Sequence, residues 1–313
     1  MSSSYATTSH ADDRLSARSK ARAEAIENGH GTIRAYYRAV AQDFRAWSAR
    51  LNMHFGYWAW GVNPLNREAM LERMNREVLD ALRLPAAVPA RLADLGCGAG
   101  ATARAIVRHR QYTSVDAVTL VMEQILQGAE LNRTAKVGHA VRFHLADYAN
   151  TPLPAAQYDG VYALESSCHA RGAGKRFLLK EMHRLLKPGG SVVIVDALLR
   201  TRAALPALVD RVYRGWCRNW AVSELGEQSA VRQALEQQGF VDVKFRDISW
   251  RIAPSALQIP LFATRFAIRE LWRGRGRLNP WRKGHILASY ASFLMGCWQP
   301  GFGYFVVTAR KPA

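Results

Sequence analysis

The sequence is poor in cysteine. Its four cysteines, Cys97, Cys168, Cys217 and Cys297, lie far apart and form no Cys-x-x-Cys pair. This spacing argues against a zinc site and against a disulfide framework. We therefore expect no metal site. We also expect the protein to reside in a reducing compartment, and this favours a cytoplasmic location.

Long apolar runs and internal repeats are also absent. Transmembrane helices need roughly 18 consecutive apolar residues, and the nearest candidate, residues 286–307, is interrupted by Gln299-Pro300-Gly301. Residues 1–31 are rich in Ser, Ala and charge, and no apolar run follows them. A secretory signal would contain such a run. We expect a flexible N-terminal arm and no membrane-spanning helix.

Acidic residues are scarce relative to basic ones. The chain has 25 Asp and Glu against 43 Lys and Arg, a net charge of +18. Such a charge favours attraction to an acidic partner, and it also occurs in arginine-rich proteins simply as a solubilising surface. The sequence has neither an Asn/Asp-Pro-Pro-Tyr base-flipping motif nor a recognisable RNA module. We expect no nucleic-acid partner, and a steep salt dependence of nucleic-acid binding would contradict this.

What the chain does have is a regular alternation of strand and helix patterns after residue 90, which is typical of a doubly wound α/β sheet. A hydrophobic content of 49% supports a sizeable core. The patterns predict strands at 91–95, 114–118, 141–145, 158–164, 191–196, 241–250 and 303–308. They predict helices at 32–51, 64–82, 101–109, 122–131, 175–186, 198–221 and 228–238.

The most informative segment is the decapeptide at residues 91–100, Arg-Leu-Ala-Asp-Leu-Gly-Cys-Gly-Ala-Gly. A buried strand that ends in Gly96, Gly98 and Gly100 presents bare backbone at the carboxyl edge of a parallel sheet, where a nucleoside-bearing cofactor can approach. Asp94 precedes this turn, and a carboxylate suits a cationic ligand better than a pyrophosphate. This favours S-adenosylmethionine (SAM) over NAD.

The ends of the next two strands support the same choice. A dinucleotide enzyme carries an acid at the end of its second strand, whereas Asp116 lies inside that strand here. The third strand ends in Ala146-Asp147-Tyr148. Asp147 can accept a hydrogen bond from an adenine amino group while Tyr148 packs on the ring. An Asp in this place can instead cap a helix.

These motifs resemble those of the class I SAM-dependent methyltransferases. The resemblance rests on Asp94–Gly100, on Asp147 and on the Leu-Leu-Lys-Pro-Gly-Gly run at 185–190. It spans about residues 90–250 and implies a seven-stranded sheet with an antiparallel last strand. It also implies that the cofactor contacts Asp94, Gly96, Gly98, Thr119, Leu120, Gln124, Asp147 and Tyr148. We expect Gly100, the last glycine of the turn, to contact the cofactor as well.

Within that class the chain is similar to a narrower group. Tyr-Ala-Leu-Glu-Ser-Ser-Cys-His-Ala at 162–170 resembles a segment of the sterol C-methyltransferases, and residues 43–55 match the length and ends of their aromatic segment. Val118–Gln124 is closer to the cyclopropane fatty acid synthases, and the tocopherol methyltransferases are similar over the same region. This group implies methylation of carbon.

Methylating an alkene carbon needs alignment, a dry pocket, aromatic faces for the resulting cation, and a base. Glu165 and His169 follow strand four at the ligand-binding edge of the sheet, and either can serve as the base. Each can also be a structural residue, and the aromatics can be ordinary core. We expect catalytic roles for Glu165, His169, Tyr37 and His54, and substrate contacts from Trp47, Phe55, Tyr57 and Trp58.

A basic stripe precedes the last strand. Arg265, Arg269 and Arg273 are spaced four apart and so share one helix face. That face can clamp a diphosphate, rest on anionic lipid in a peripheral membrane contact, or be solvated. We expect it to bind the substrate.

The expected organisation has five parts. They are a flexible arm at 1–31, a helical substrate cap at 32–89, a SAM-binding core at 90–250, a lid insertion at 251–301 and the last strand at 302–313. The expected function is C-methylation of an olefinic, isoprenoid-like small molecule, with a prenyl diphosphate as one version. The alternatives are O- or N-methylation of a polar or phenolic metabolite, a nucleic-acid methyltransferase, and a non-catalytic SAM-binding protein.

Overall fold

A computed structural model describes residues 31–273 and 280–313 of the chain. The expected arm at 1–31 lies, apart from Gly31, outside the described residues. The strands are β1 Ala90–Leu95, β2 Thr113–Thr119, β3 Val141–Leu145, β4 Tyr158–Leu164, β5 Leu186–Leu199, β6 Gly226–Glu227, β7 Val241–Asp247 and β8 Phe302–Arg310. The helices are α1 Gly31–Ala39, α2 Ala41–Trp47, α3 Arg67–Leu82, α4 Ala101–His109, α5 Met122–Thr134, α6 Arg176–Leu185, α7 Ala207–Asn219, α8 Gln228–Gln237, α9 Ser249–Ala256, α10 Ile259–Arg273 and α11 Pro280–Cys297.

The strands form one sheet in the order β3-β2-β1-β4-β5-β8-β7. β1 to β5 are parallel, and β8 runs antiparallel to both of its neighbours. The α/β doubly wound fold with an antiparallel last strand is therefore confirmed. The two-residue β6 pairs with the end of β5 as an eighth strand that the sequence does not signal.

The sheet is buried on both faces, as a doubly wound fold requires. Leu178, Met182 and Leu185 of α6 are fully buried at helical spacing on one face, and Val78 and Ile106 belong to the core on the other. Buried parallel strands of this kind place the loops at their carboxyl ends around one edge, where ligands bind in this fold.

Several predicted boundaries are wrong. The predicted helix at 198–221 starts only at Ala207, because Leu198 and Leu199 extend β5 by pairing with β8. β7 ends at Asp247, whose side chain accepts the backbone N–H of Ser249 and so starts α9, which takes Trp250 out of the strand. The predicted helix at 32–51 divides into α1 and α2 and ends at Trp47.

The insertion between β7 and β8 consists of α9, α10 and α11 in the described residues. α11 packs against α7 and α10, and it also contacts α1. The described helices include none with the length and apolarity needed to cross a membrane. The domain boundaries, including the cap and the lid, stay predictions.

Candidate active site

A cavity of about 410 Å³ opens at the carboxyl edge of β1. The glycine turn forms its floor, with Gly96 at φ 95° and Gly98 at φ 53°. The expected cofactor residues that line it are Asp94, Gly96, Gly98, Thr119, Leu120, Gln124, Asp147 and Tyr148. Gly100 does not line it, since it caps α4 and faces the ring of Phe143. A Cβ at Gly100 would lie 2.7 Å from that ring, so its role is packing.

We predict that Gly96→Ala destabilises the protein by about 3 kcal/mol, because it combines backbone strain with overpacking. A Cβ at Gly96 would lie 2.3 Å from Cβ of Ser166. Gly61→Ala is the matched control: Gly61 also has positive φ, 85°, but nothing lies within 4 Å of its Cβ position. Chemical denaturation should show a much smaller loss for Gly61→Ala, and equal losses would contradict the steric argument.

Asp94 is a deeply buried acid in this cavity. Its side chain is 2% exposed and accepts one hydrogen bond, 3.1 Å long, from the hydroxyl of Tyr162. Burial raises the pKa of Asp94 to about 7, and the bond from Tyr162 only partly offsets this. A cationic ligand would restore the ionised form. The site thus fits a ligand that carries positive charge, as SAM does.

The remaining walls suit a nucleoside. Thr119 donates to Gln124 at 2.6 Å at the end of β2, which fixes the amide beside the cavity. Tyr148 is held by a hydrogen bond to the carbonyl of Ser166. Oδ1 of Asp147 accepts the backbone N–H of Ala149 at 2.8 Å. Asp147 therefore stabilises its own turn while lining the cavity. The next element is the strand β4, so Asp147 does not cap a helix, which was the alternative considered from the sequence.

A second cavity, of about 180 Å³, adjoins the first. The two share Tyr37, Met53, His54, Glu165 and His169, which form the junction. The second cavity is mainly aromatic. Its rings belong to Tyr36, Tyr37, Phe44, Trp47, Phe55, Trp216, Trp220, Phe262, Phe266, His285 and Tyr304. A ligand in one cavity can therefore meet a ligand in the other beside the junction residues.

Glu165 lies at this junction directly after β4. It has φ 48°, a strained conformation for a residue with a side chain. Its Oε1 accepts the backbone N–H of Phe55 at 2.6 Å and the hydroxyl of Tyr304. Burial nevertheless raises the pKa of Glu165 to about 8. This carboxyl is therefore held in one orientation and can exchange a proton near neutral pH.

His169 and Tyr37 form a second polar pair at the junction. The hydroxyl of Tyr37 and Nε2 of His169 are 2.9 Å apart, and Nδ1 of His169 is 3.1 Å from the carbonyl of Ala221. A carbonyl only accepts, so Nδ1 carries the proton and Nε2 accepts from Tyr37. In this tautomer the hydroxyl proton of Tyr37 joins the two side chains.

His54 lines the junction but is fully engaged by the protein. Nδ1 lies 2.9 Å from the carbonyl of Phe55, and Nε2 is within 3.2 Å of the side-chain oxygens of Asn52 and Asn75. Burial lowers the pKa of His54 to about 4, so the ring is neutral. This arrangement suits a positioning role rather than the catalytic role expected.

Two expected substrate contacts lie elsewhere. Trp47 and Phe55 line the second cavity, whereas Tyr57 and Trp58 line neither cavity. Tyr57 is 8% exposed in the core, and the indole of Trp58 donates to the carbonyl of Val62. The substrate contacts expected of Tyr57 and Trp58 therefore stay predictions.

The basic stripe also lies outside both cavities. Arg265 and Arg269 are exposed and line a surface depression with Ile268 and Trp272. The opposite face of α10 supplies the cavity wall, and the side chain of Arg273 lies outside the described residues. Arg265 and Arg269 thus do not line the second cavity, and the expectation that they bind the substrate stays a prediction.

Sequence reasoning missed several wall residues. Trp216 lies on α7, Trp220 directly follows that helix, and His285 lies on α11. Their helical spacing was visible, but only the packing of α11 against α7 brings them to one cavity. Tyr304, which orients Glu165, lies on β8 and carried no signal in the sequence.

A doubly wound sheet with a glycine-floored cavity and a buried acid defines a nucleoside-cofactor enzyme of the methyltransferase type. The family model described as a methyltransferase domain matches residues 92–190. An O-methyltransferase from Pyrenophora dematioidea is 30% identical over 203 residues, which are 64% of this chain and 73% of that one. A cycloartenol-C-24-methyltransferase from Arabidopsis thaliana is 37% identical over 123 residues, 39% of this chain and 36% of that one.

The fold has a close counterpart among solved structures. The geranyl diphosphate C-methyltransferase from Streptomyces coelicolor A3(2) superposes with a TM-score of 0.63 at 16% identity, covering 88% of this chain and 98% of that one. The chain belongs to the SAM-dependent methyltransferases. It is an enzyme, and its methyl donor is SAM.

Proposed function

We propose that the protein methylates an olefinic carbon of an isoprenoid-like small molecule. One observation carries this proposal: an aromatic cavity meets the cofactor cavity at a buried carboxyl, Glu165. An apolar substrate suits the aromatic walls. A base that removes a proton from a carbon atom is needed where the two cavities join. The similarity to a sterol C-methyltransferase supports the same chemistry.

The chemistry requires little of the protein beyond positioning, exclusion of water and removal of one proton. SAM, when bound, supplies a methyl group and leaves as S-adenosylhomocysteine. The alkene π pair forms the new carbon–carbon bond, and the substrate is left as a carbocation. The rings of Tyr37, Phe44 and Phe55 present negative faces to this cation. Glu165 accepts the proton from the adjacent carbon, and the C–H pair becomes a new double bond; cyclisation is the other outcome.

The cavity walls favour an uncharged substrate over a prenyl diphosphate. The described residues that line the second cavity include no Lys or Arg, and they include Asp43, Glu165 and Asp196. Carboxylates repel phosphate, and Arg265 and Arg269 are outside. We therefore expect a neutral isoprenoid.

O- or N-methylation is the second candidate, and the Tyr37–His169 pair favours it. Its hydroxyl-to-imidazole contact of 2.9 Å provides a base for a substrate hydroxyl. The similar protein from Pyrenophora dematioidea is an O-methyltransferase, which supports this candidate.

The two candidates are separated by the position of the transferred methyl. The chain is incubated with deuterium-labelled SAM and with geraniol, geranyl diphosphate or a phenol, and products are analysed by mass spectrometry and NMR. We expect the label on a carbon of geraniol, with little transfer to the diphosphate. Label on oxygen, abolished by His169→Ala and retained in Glu165→Gln, would replace C-methylation by O-methylation.

The remaining partners stay predictions. Trp272 is 85% exposed beside Arg265 and Arg269 on the outer face of α10. An aromatic and basic face of this kind suits a peripheral contact with anionic lipid. The absence of a nucleic-acid partner and the cytoplasmic location also stay predictions.

A further inference from the structure

Two polar side chains in the aromatic cavity have no hydrogen-bond partner among the residues that the structure describes. They are Asp43, through both carboxyl oxygens, and Trp220, through its indole nitrogen. The other buried atoms without a partner are second oxygens of Glu68 and Glu123, and each of those carboxylates is bonded through its first oxygen. Asp43 and Trp220 thus differ from these two glutamates, because their side chains make no hydrogen bond at all, and both line the second cavity.

Asp43 is deeply buried. It is 7% exposed, and the nearest cation, Arg282, keeps its Nε 3.9 Å from Oδ1, beyond hydrogen-bond distance. Arg282 instead donates to Glu270. The charge of Arg282 therefore offsets only part of the desolvation penalty of Asp43, and a bound donor would supply the hydrogen bond that the carboxyl lacks.

The ring of Trp220 and the ring next to Asp43 both contact His285. The ring of Trp220 stacks on His285 with centroids 5.9 Å apart, and the ring of Phe44, next to Asp43, is 5.8 Å from His285 on centroids. The ring of Tyr37 lies between Phe44 and His169, at 5.9 Å and 5.6 Å respectively. Asp43 is therefore separated from the junction residue Tyr37 by the ring of Phe44.

We propose that Asp43 and Trp220 form a polar subsite that recognises a hydroxyl group on the substrate, at a point remote from the methylated carbon. A hydroxyl oxygen can accept from the indole N–H while its own proton is donated to the carboxyl. An ammonium group cannot accept from Trp220, and a phosphate would face the carboxylate. The inference deepens the proposed function, because it makes the substrate an isoprenoid-like alcohol.

The test measures binding rather than turnover. Geraniol, its methyl ether and geranylamine are titrated calorimetrically into the full chain saturated with S-adenosylhomocysteine. Wild type should bind geraniol about 30-fold more tightly than the ether, because the ether leaves Asp43 unpaired. Asp43→Leu should abolish this preference, and Trp220→Phe should reduce it to about fivefold.

Matched controls keep the result interpretable. Trp58→Phe and Asp242→Asn lie outside both cavities and should retain the full preference. Asp43→Asn keeps an acceptor and should retain most of it. Asp43→Leu should also raise the melting temperature of the free protein, since it removes a buried carboxyl that makes no hydrogen bond.

Three results would overturn the subsite: no geraniol binding at millimolar concentration, equal binding of geraniol and its ether by wild type, or a preference that survives in Asp43→Leu. Tighter binding of geranylamine, lost in Asp43→Asn, would replace the hydroxyl by a cation and also overturn it. If the Asp43-dependent preference holds but no carbon is methylated, the proposed function fails and the subsite stands.

Discussion

Replacing Glu165 by Gln should lower kcat for methylation about 10³-fold, the range lost when a general base is removed. The carboxamide keeps the shape and still accepts the N–H of Phe55, but it cannot take a proton. Single-turnover transfer from labelled SAM checks this, together with calorimetric SAM affinity, which should be unchanged because Glu165 acts on the substrate.

The pH profile of the same reaction tests the role of the carboxyl directly. Burial raises the pKa of Glu165 to about 8, and a base acts only when ionised, so the rate should rise with pH up to about 8. Tyr304→Phe removes a hydrogen bond that lowers the pKa of Glu165, so the rise should move to higher pH. A flat profile in wild type would exclude Glu165 as the base.

Glu181→Gln is the matched control, since Glu181 is also a buried glutamate but lies on α6 beneath Thr151, away from both cavities. It should reduce stability and leave the rate unchanged. If Glu165→Gln behaves as Glu181→Gln does, the junction carboxyl has no catalytic role.

The second large effect concerns Asp94. Asp94→Asn should weaken SAM binding about 50-fold, the loss expected when a charge-assisted contact is removed from a buried site. In wild type, affinity should increase as pH rises through about 7, because the ionised form of Asp94 attracts the cation. The variant should show no such increase, and titration calorimetry at several pH values measures both effects.

Stability should move in the opposite sense from affinity. The folded-state pKa of Asp94 is raised, so its folded form holds the proton more tightly than the unfolded chain does, and the free energy of unfolding falls as pH rises between about 4 and about 7. Asp94→Asn removes this dependence. The variant should therefore be at least as stable as wild type at pH 8.

Asp116→Asn provides the contrast. Asp116 is buried in β2, but Arg91, His144 and Tyr158 bind its carboxylate and hold its pKa at about 2. Its contribution to stability is present above the unfolded pKa near 4 and is lost as pH falls through about 2. Asp116→Asn should cost roughly 2 kcal/mol at pH 7 and leave SAM affinity unchanged. Loss of affinity in this variant and not in Asp94→Asn would contradict the cofactor assignment.

Local patterns were sufficient for the cofactor half of the site. The segment from Asp94 to Gly100 joins a buried strand to a helix by a turn that only glycine fits well, and this geometry depends on neighbouring residues alone. β3 and β4 were predicted to the residue for the same reason, since both are short segments bounded by turns.

The substrate half depended on contacts between distant parts of the chain. A basic periodicity on α10 shows that three arginines share a face, but not which face meets the cavity. The apolar residues of α10 pack against the second cavity. Because Phe262 and Phe266 face that cavity, Arg265 and Arg269 lie on the outer side of the helix. For the same reason Tyr57 entered the core while Phe55 lines the cavity.

By itself the sequence determined the class of sheet, the glycine-floored cofactor cavity, the acid beneath it and Glu165 at the end of β4, because all four follow from short segments with their own backbone preferences. Only the tertiary structure decided that Tyr304 holds Glu165, that His54 is neutral and engaged, and that Asp43 and Trp220 lie on one wall. These depend on α7, α11 and β8 packing together from separate parts of the chain, where burial and charge are properties of the assembled core.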